Sequence, residues 1–206
     1  MQNNLVPVPV ADDIFELSVA NTRMAQALAS QLRELEIAED VVTGIETVSI
    51  RFHPRNFDRI VRLLGKLSVA EFAPAIDTEI EEIEITYGGQ DGPDFDWVCE
   101  QVHLSPKAFI ELHTSTVHTV EIIGFTPGFS YISGLPKTVS IPRLDNPRPR
   151  VAAGSIGISG AYTGTYALPG PGGWPIIGRT DRTLFDRTSD QPFSLTPGQR
   201  VRFKAV

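Results

Sequence analysis

Residues 155–178 read SIGISGAYTGTYALPGPGGWPIIG. Three short runs, "SIGISG", "TGTYAL" and "WPIIG", are strand-like, and glycine or proline separates each from the next. No helical spacing of apolar residues runs through them. Upstream, "VHTVEIIG" has the same character, and so does "QRVRFKAV" at the far end. Many short strands with turn residues between them predict a β-barrel or sandwich. Ahead of these strands, "YGGQDGPDFDWVCEQVHLSPKAFIELH" opens with turn chemistry and continues as two short helices. Asp94 suits a cap for the first, and Ser105-Pro106 a cap plus first-turn proline for the second. The helical pattern stops after His113.

The first part of the chain is different. "IFELSVA" puts Phe15, Leu17 and Val19 on one face at period two. Asn21 then caps a helix with Met24, Leu28, Leu32 and Leu35 at helical spacing. "ETVSIRFH" alternates again, with Val48, Ile50 and Phe52 inward. Asn56 is placed to cap a second helix, whose apolar side is Ile60, Leu63, Leu64 and Leu67. "EIEEIEITY" alternates Ile83, Ile85 and Tyr87 against acids. The order β-α-β-α-β predicts a small sheet with helices on one side. The Glu79, Glu81, Glu82, Glu84 run is the solvated face of that last strand, and no metal site is expected there.

Charge follows the same division. Residues 1–86 carry 7 Lys/Arg against 15 Asp/Glu, and residues 87–206 carry 11 against 10. The shift in charge and periodicity sets the expected boundary near Tyr87–Asp91, giving domains 1–87 and 88–206. The acidic half argues against nucleic acid, where neutralising phosphates supplies most of the affinity. No apolar run approaches the roughly 18 residues that span a bilayer. The N-terminus has no basic stretch followed by an apolar core, so no secretory signal is expected. A lone Cys99 excludes an internal disulfide and a multi-cysteine zinc site. A cytoplasmic protein without membrane or nucleic-acid partners is the expectation.

The common catalytic motifs are missing. There is no G-x-x-x-x-G-K-[ST] loop. "GSIGISGAYTG" lacks G-x-G-x-x-G spacing, and "GISGA" is not the G-x-S-x-G elbow. Unusual residues concentrate instead between His113 and Arg182. His113 is either a helix-end histidine facing the dipole or an acid–base group. His118 reads as structural or exposed. Arg143, Arg148 and Arg150 stand among prolines in "PRLDNPRPR", an array suited to carboxylates or phosphates, or a solvated basic loop. Trp174 is core or a ligand platform, with Arg179 just beyond it. In "GFTPGFSYISGLP", residues 124–136, Phe125, Phe129 and Tyr131 line a cleft or pack a buried turn.

The blocks "YGGQDGPD", "GFTPGFSYISGLP", "IPRLDNPRPRVAAGSIGISGAYTGTYALPGPGGWPIIGRT" and "LTPGQRVRFKAV" follow one another in the order and spacing of a known family. In them the chain resembles the KipI / allophanate hydrolase subunit 1 family, which includes the B subunit of bacterial 5-oxoprolinase. The resemblance implies an α+β fold, a small N-terminal α/β sandwich followed by a cyclophilin-like β-barrel. It implies a larger partner subunit of the KipA / allophanate hydrolase subunit 2 type and a third protein of the LamB/YcsF type. With them it implies ATP-dependent opening of 5-oxoproline to glutamate, the chain being inactive alone. It also admits a subunit of urea or allophanate breakdown, or an inhibitor of a histidine kinase. The expected catalytic groups are His113, Arg148 and Arg179. The expected substrate-binding residues are Phe125, Pro127, Gly128, Phe129, Tyr131, Arg143, Gly154, Ser155, Thr163 and Trp174. Ala152 stands where the family prefers proline, Ser133 where glycine is common, and His118 where an aromatic is usual.

Overall fold

The computed structural model describes residues 5–34, 38–67 and 79–206. The chain divides into two compact units, residues 1–76 and 77–206.

In the first unit, β1 (Val8–Ala11) and β2 (Ile14–Ser18) lead into α1 (Thr22–Arg33). β3 (Ala38–Thr43) and β4 (Thr47–Phe52) follow, and then α2 (Phe57–Leu64). The sheet runs β1-β2-β4-β3 and every pair is antiparallel. Asn21 caps α1 as expected, its side-chain oxygen accepting the Met24 N–H at 3.0 Å. Ala25, Leu28, Ala29 and Leu32 are fully buried along one face. They pack with Phe15, Leu17, Val48, Ile50 and Phe52 from the sheet. Leu35 lies outside the described residues. Asn56 makes no capping bond. The chain enters α2 through a 3-10 turn, Pro54–Asn56, where His53 Nδ1 accepts the Arg55 N–H instead.

The second unit begins with β5 (Ile80–Tyr87), α3 (Phe95–Gln101) and α4 (Pro106–Ser115). The strands β6 (His118–Ile123), β7 (Ser130–Ser133), β8 (Arg148–Val151), β9 (Ser155–Ser159) and β10 (Tyr162–Thr165) come next. β11 (Gly170–Gly172), β12 (Ile176–Arg179) and β13 (Arg200–Ala205) complete it. Seven strands close a barrel in the order β10-β7-β6-β13-β5-β12-β9, and β8 pairs with β11 as a separate ribbon. The fold is α+β with a barrel.

The expected domain boundary is corrected by β5. This strand does not close the first sheet. It pairs in parallel with β13, Ile83 opposite Phe203, and antiparallel with β12. The alternation points inward as expected, since Ile83 and Ile85 are fully buried. Their partners, however, lie at the far end of the sequence. Glu84 on the outer face pairs with Lys204, and Glu81 with Arg182. The unit boundary therefore lies upstream of β5, at 76/77.

Ser105 caps α4 through the Ala108 N–H, and α4 packs on β13. Phe109 of α4 and Phe203 of β13 are buried in the barrel core. A side chain of that size contributes about 2–3 kcal/mol on full burial. Gly164 of β10 has no room for a side chain. A Cβ there would sit 2.7 Å from the Trp174 ring and 2.8 Å from the Phe129 ring. Its absence lets an aromatic layer lie directly on the barrel's outer wall.

Candidate functional site

Three settings on the barrel hold the residues singled out in the sequence. The first is an aromatic cavity of about 270 Å³ on the outer wall. Phe129 comes from the turn before β7, Tyr131 from β7, and Tyr166 from the residue after β10. Trp174 comes from the link between β11 and β12, and Arg143 from the loop before β8. The rings meet edge to face, with centroids 4.8 Å apart for Phe129–Tyr131, 5.0 Å for Phe129–Tyr166 and 5.6 Å for Tyr131–Trp174. Such contacts fix the rings against one another. Phe129 and Trp174 are buried in the wall, while Arg143 is exposed at the rim. Burial pushes the Tyr166 phenol up, opposed by its bond to the Trp174 backbone and by the charge of Arg143.

Phe125 also lines this cavity, and it is under strain. Its φ is +69°, a value bulky residues rarely adopt. The Thr126 N–H donates to the Gly124 carbonyl at 2.8 Å, closing a three-residue turn centred on Phe125. That turn is held by further bonds between Gly124 and Phe129 and between Phe129 and Thr126. Yet the ring is 62% exposed, its centroid 5.5 Å from that of Phe129. Strain of this kind persists where the surroundings enforce it and clusters at ligand sites.

The second setting is a basic cavity of about 220 Å³, lined by Arg148, Arg150, Arg179, Ser155, Gln90 and Asp91 among others. Its organiser is Asp94, which caps nothing. One carboxylate oxygen accepts from Arg148 Nη2 at 2.7 Å, and the other from the Ile176 N–H at 2.6 Å. Arg179 lies 4.0 Å from Asp91.

The third setting is the barrel interior. His113 is fully buried there. Its Nδ1 lies 2.6 Å from the Tyr87 hydroxyl and its Nε2 2.9 Å from Thr163 Oγ1. Either tautomer satisfies both nitrogens. Phe203 stacks on the ring at 4.4 Å. Burial, and then the neighbouring His118, hold its pKa well below the usual imidazole value. His118 is buried too, with Nε2 at 2.9 Å from the His113 carbonyl and Nδ1 at 3.2 Å from that of Ser133.

The expected site is thus divided. Phe125, Phe129, Tyr131, Arg143 and Trp174 come together at the aromatic cavity. Arg148, Arg179 and Ser155 come together at the basic one. His113 and Thr163 lie at neither. They are buried in the core, where His113 stands in the last turn of α4, at a helix end as expected, and lines neither cavity. Pro127 is exposed in the turn beside the aromatic cavity. Gly128 and Gly154 serve the backbone. Their φ values are +78° and +82°, and a Cβ would meet Ala167 and Phe185 at 2.7 Å or the Thr180 carbonyl at 2.3 Å. Sequence reading missed Tyr166 and the anchoring role of Asp94. Tyr166 was findable, since it follows Gly164 at period two on the cavity side. Asp94 was not, because its partners lie 54 and 82 residues away.

Comparison with known proteins places this architecture. The family model "Carboxyltransferase domain, subdomain C and D" matches residues 8–195. A Haemophilus influenzae protein, named as the B subunit of 5-oxoprolinase, is 35% identical over 97% of this chain and 96% of its own. The Escherichia coli O157:H7 protein of the same name is 37% identical over 91% of this chain and 87% of its own. The crystal structure of TTHA0988 matches with a TM-score of 0.79 at 32% identity over 94% of this chain, which spans 40% of that longer protein. The chain belongs to the carboxyltransferase domain family, subdomain C and D.

Proposed function

We propose that this chain is the B-type subunit of a 5-oxoprolinase. In that complex it acts with a larger barrel subunit and a third protein to open 5-oxoproline to glutamate at the expense of ATP. The near full-length likeness to two proteins of that name supports the reading. The observation that carries it is the aromatic cavity with a single guanidinium at its rim. 5-Oxoproline is a small, nearly flat ring bearing one carboxylate. Phe129, Tyr131 and Trp174 offer apolar walls to the ring, and Arg143 a charged fork to the carboxylate. Phe125, held by its strained turn and largely exposed, adds a further wall.

Hydrolysing an unstrained lactam at neutral pH needs an activated carbonyl, and ATP supplies this as a phosphoryl group on the amide oxygen. This chain's part is to hold the ring, exclude water from its faces and fix the carboxylate. Arg148 and Arg179 stand ready for developing negative charge. The reaction takes place in the cytoplasm.

The test is glutamate release from 5-oxoproline, with ATP, by the three co-expressed proteins. The chain alone is expected to be inert, and leaving it out is expected to abolish release. Arg143→Ala is expected to lower kcat/KM for 5-oxoproline by about 10- to 100-fold, the worth of one charge-assisted bond. Subunit co-purification should be unchanged. Full release without this chain, or full activity of both Arg143→Ala and Trp174→Ala, would overturn the reading.

A further inference from the structure

We propose that the basic cavity is a binding site for a phosphoryl group, formed by Arg148, Arg150, Arg179 and Ser155 and distinct from the aromatic cavity. In naming phosphate as the ligand it rests on the ATP-dependent reading above. The anion site itself follows from the side chains.

Arg148 is the central residue. Pro147 and Pro149 flank it and restrain its backbone. Its Nη2 is pinned by Asp94, whose other oxygen is fixed by the Ile176 N–H, so the guanidinium plane is set by the barrel wall. Its Nη1 is buried and has no hydrogen-bond partner among the described residues. That nitrogen is closed to the cavity, and Arg148 meets it through the rest of its side chain, which is 31% exposed. Arg150 and Arg179 bring two further guanidiniums to the same cavity from exposed positions. Arg179 stands 4.0 Å from Asp91, beyond hydrogen-bond range, so its donors are not committed to that carboxylate. Ser155 adds a hydroxyl from the buried floor.

The number of donors favours a phosphate over a carboxylate. Asp94 neutralises Arg148, and Asp91 partly offsets Arg179. Three guanidiniums against two carboxylates leave one positive charge over, and the exposed forks of Arg150 and Arg179 with the Ser155 hydroxyl match the three terminal oxygens of a phosphoryl group. A carboxylate would engage only one fork. The neighbouring residue, Pro147, lines the aromatic cavity. One stiff Pro-Arg-Pro segment therefore borders both cavities.

Inorganic phosphate and tripolyphosphate, titrated into the full chain by calorimetry and followed by phosphorus NMR, test this without turnover. Saturable one-to-one binding of both is expected. Arg148→Lys, which keeps the charge but loses the fork, should weaken it about tenfold or more. The double variant Arg150→Gln/Arg179→Gln alters two exposed side chains and guards against misfolding. It should weaken binding comparably. Arg143→Ala should bind phosphate as the wild type does. The proposal is overturned if neither probe binds saturably, if both variants bind unchanged, or if acetate displaces phosphate on equal terms. Phosphate binding without glutamate release from the complex would remove the 5-oxoproline reading and leave the anion site. Release with no phosphate binding would do the reverse.

Discussion

Strand β10 has two sides, and the barrel uses them differently. Thr163 and Thr165 face the interior, where Thr163 meets His113. Gly164 and the following Tyr166 face the aromatic cavity. Inside, the groups around His113 find one another, and His113, Tyr87, Thr163 and His118 are all hydrogen-bonded, while the Thr165 hydroxyl has no partner among the described residues. Outside, Arg143, Arg150 and Arg179 stand exposed, and Phe125 is held in strain. A strongly shifted pKa is often taken as the mark of an active site. Here the most depressed histidine is the best satisfied, and its shift reports burial. The groups with chemistry left to do are the exposed guanidiniums of the outer cavities.

The sharpest way to break this contrast is His113→Ala. It removes a fully buried ring and orphans the Tyr87 and Thr163 hydroxyls. The expected loss is about 3–5 kcal/mol in barrel stability, the range for truncating a buried aromatic. Both tryptophans, Trp97 and Trp174, lie in the barrel unit. Denaturant unfolding followed by tryptophan fluorescence therefore reports on that unit alone. A variant that unfolds like the wild type but loses activity in the complex would make His113 catalytic and reverse the assignment.

Acid gives a second, smaller effect. Folding lowers the pKa of both His113 and His118 below the ordinary 6.5. The unfolded chain therefore binds more protons than the folded one once the pH drops below about 6.5. Stability is full above that value and falls as the pH falls further, by at most about 1.4 kcal/mol per pH unit per histidine. The same fluorescence assay at pH 8 and pH 5.5 should show a lower midpoint in acid. A midpoint unchanged across that range would mean that the interior accepts a proton freely, and the sealed core would be wrong.

How much of this was legible depended on distance along the chain. Caps at Asn21 and Ser105 are local, and the sequence placed both. Asp94 and Asn56 look equally suited to capping and cap nothing, because Asp94 is claimed by Arg148 and Ile176, and His53 precedes Asn56. Alternation in Ile80–Tyr87 revealed which residues face inward. It carried no information about which sheet they enter, and the parallel partner lies some 120 residues on. β1 and β3 were missed. β1 is a proline-broken edge strand with every residue exposed, and β3 buries only Val41. The arginine array read as one feature because its members are neighbours in sequence. The loop before β8 sends Arg143 to one cavity, while the strand delivers Arg148 and Arg150 to the other.

The finest test uses the two threonines of β10. Both are fully buried and lie two residues apart on one face. Thr163 partners His113 Nε2, whereas the Thr165 hydroxyl has no partner among the described residues. Valine matches the shape of threonine and removes only the hydroxyl. At Thr163 that change leaves a buried imidazole nitrogen unsatisfied, at an expected cost of about 1–3 kcal/mol. At Thr165 it deletes a group that was already unsatisfied, so the variant should match the wild type or exceed it by about 1 kcal/mol at most. Fluorescence-monitored unfolding of the two single variants reads the difference directly. Equal losses at both positions would mean that the Thr165 hydroxyl has a partner after all. The barrel would then hold a second polar contact beside the one built around His113.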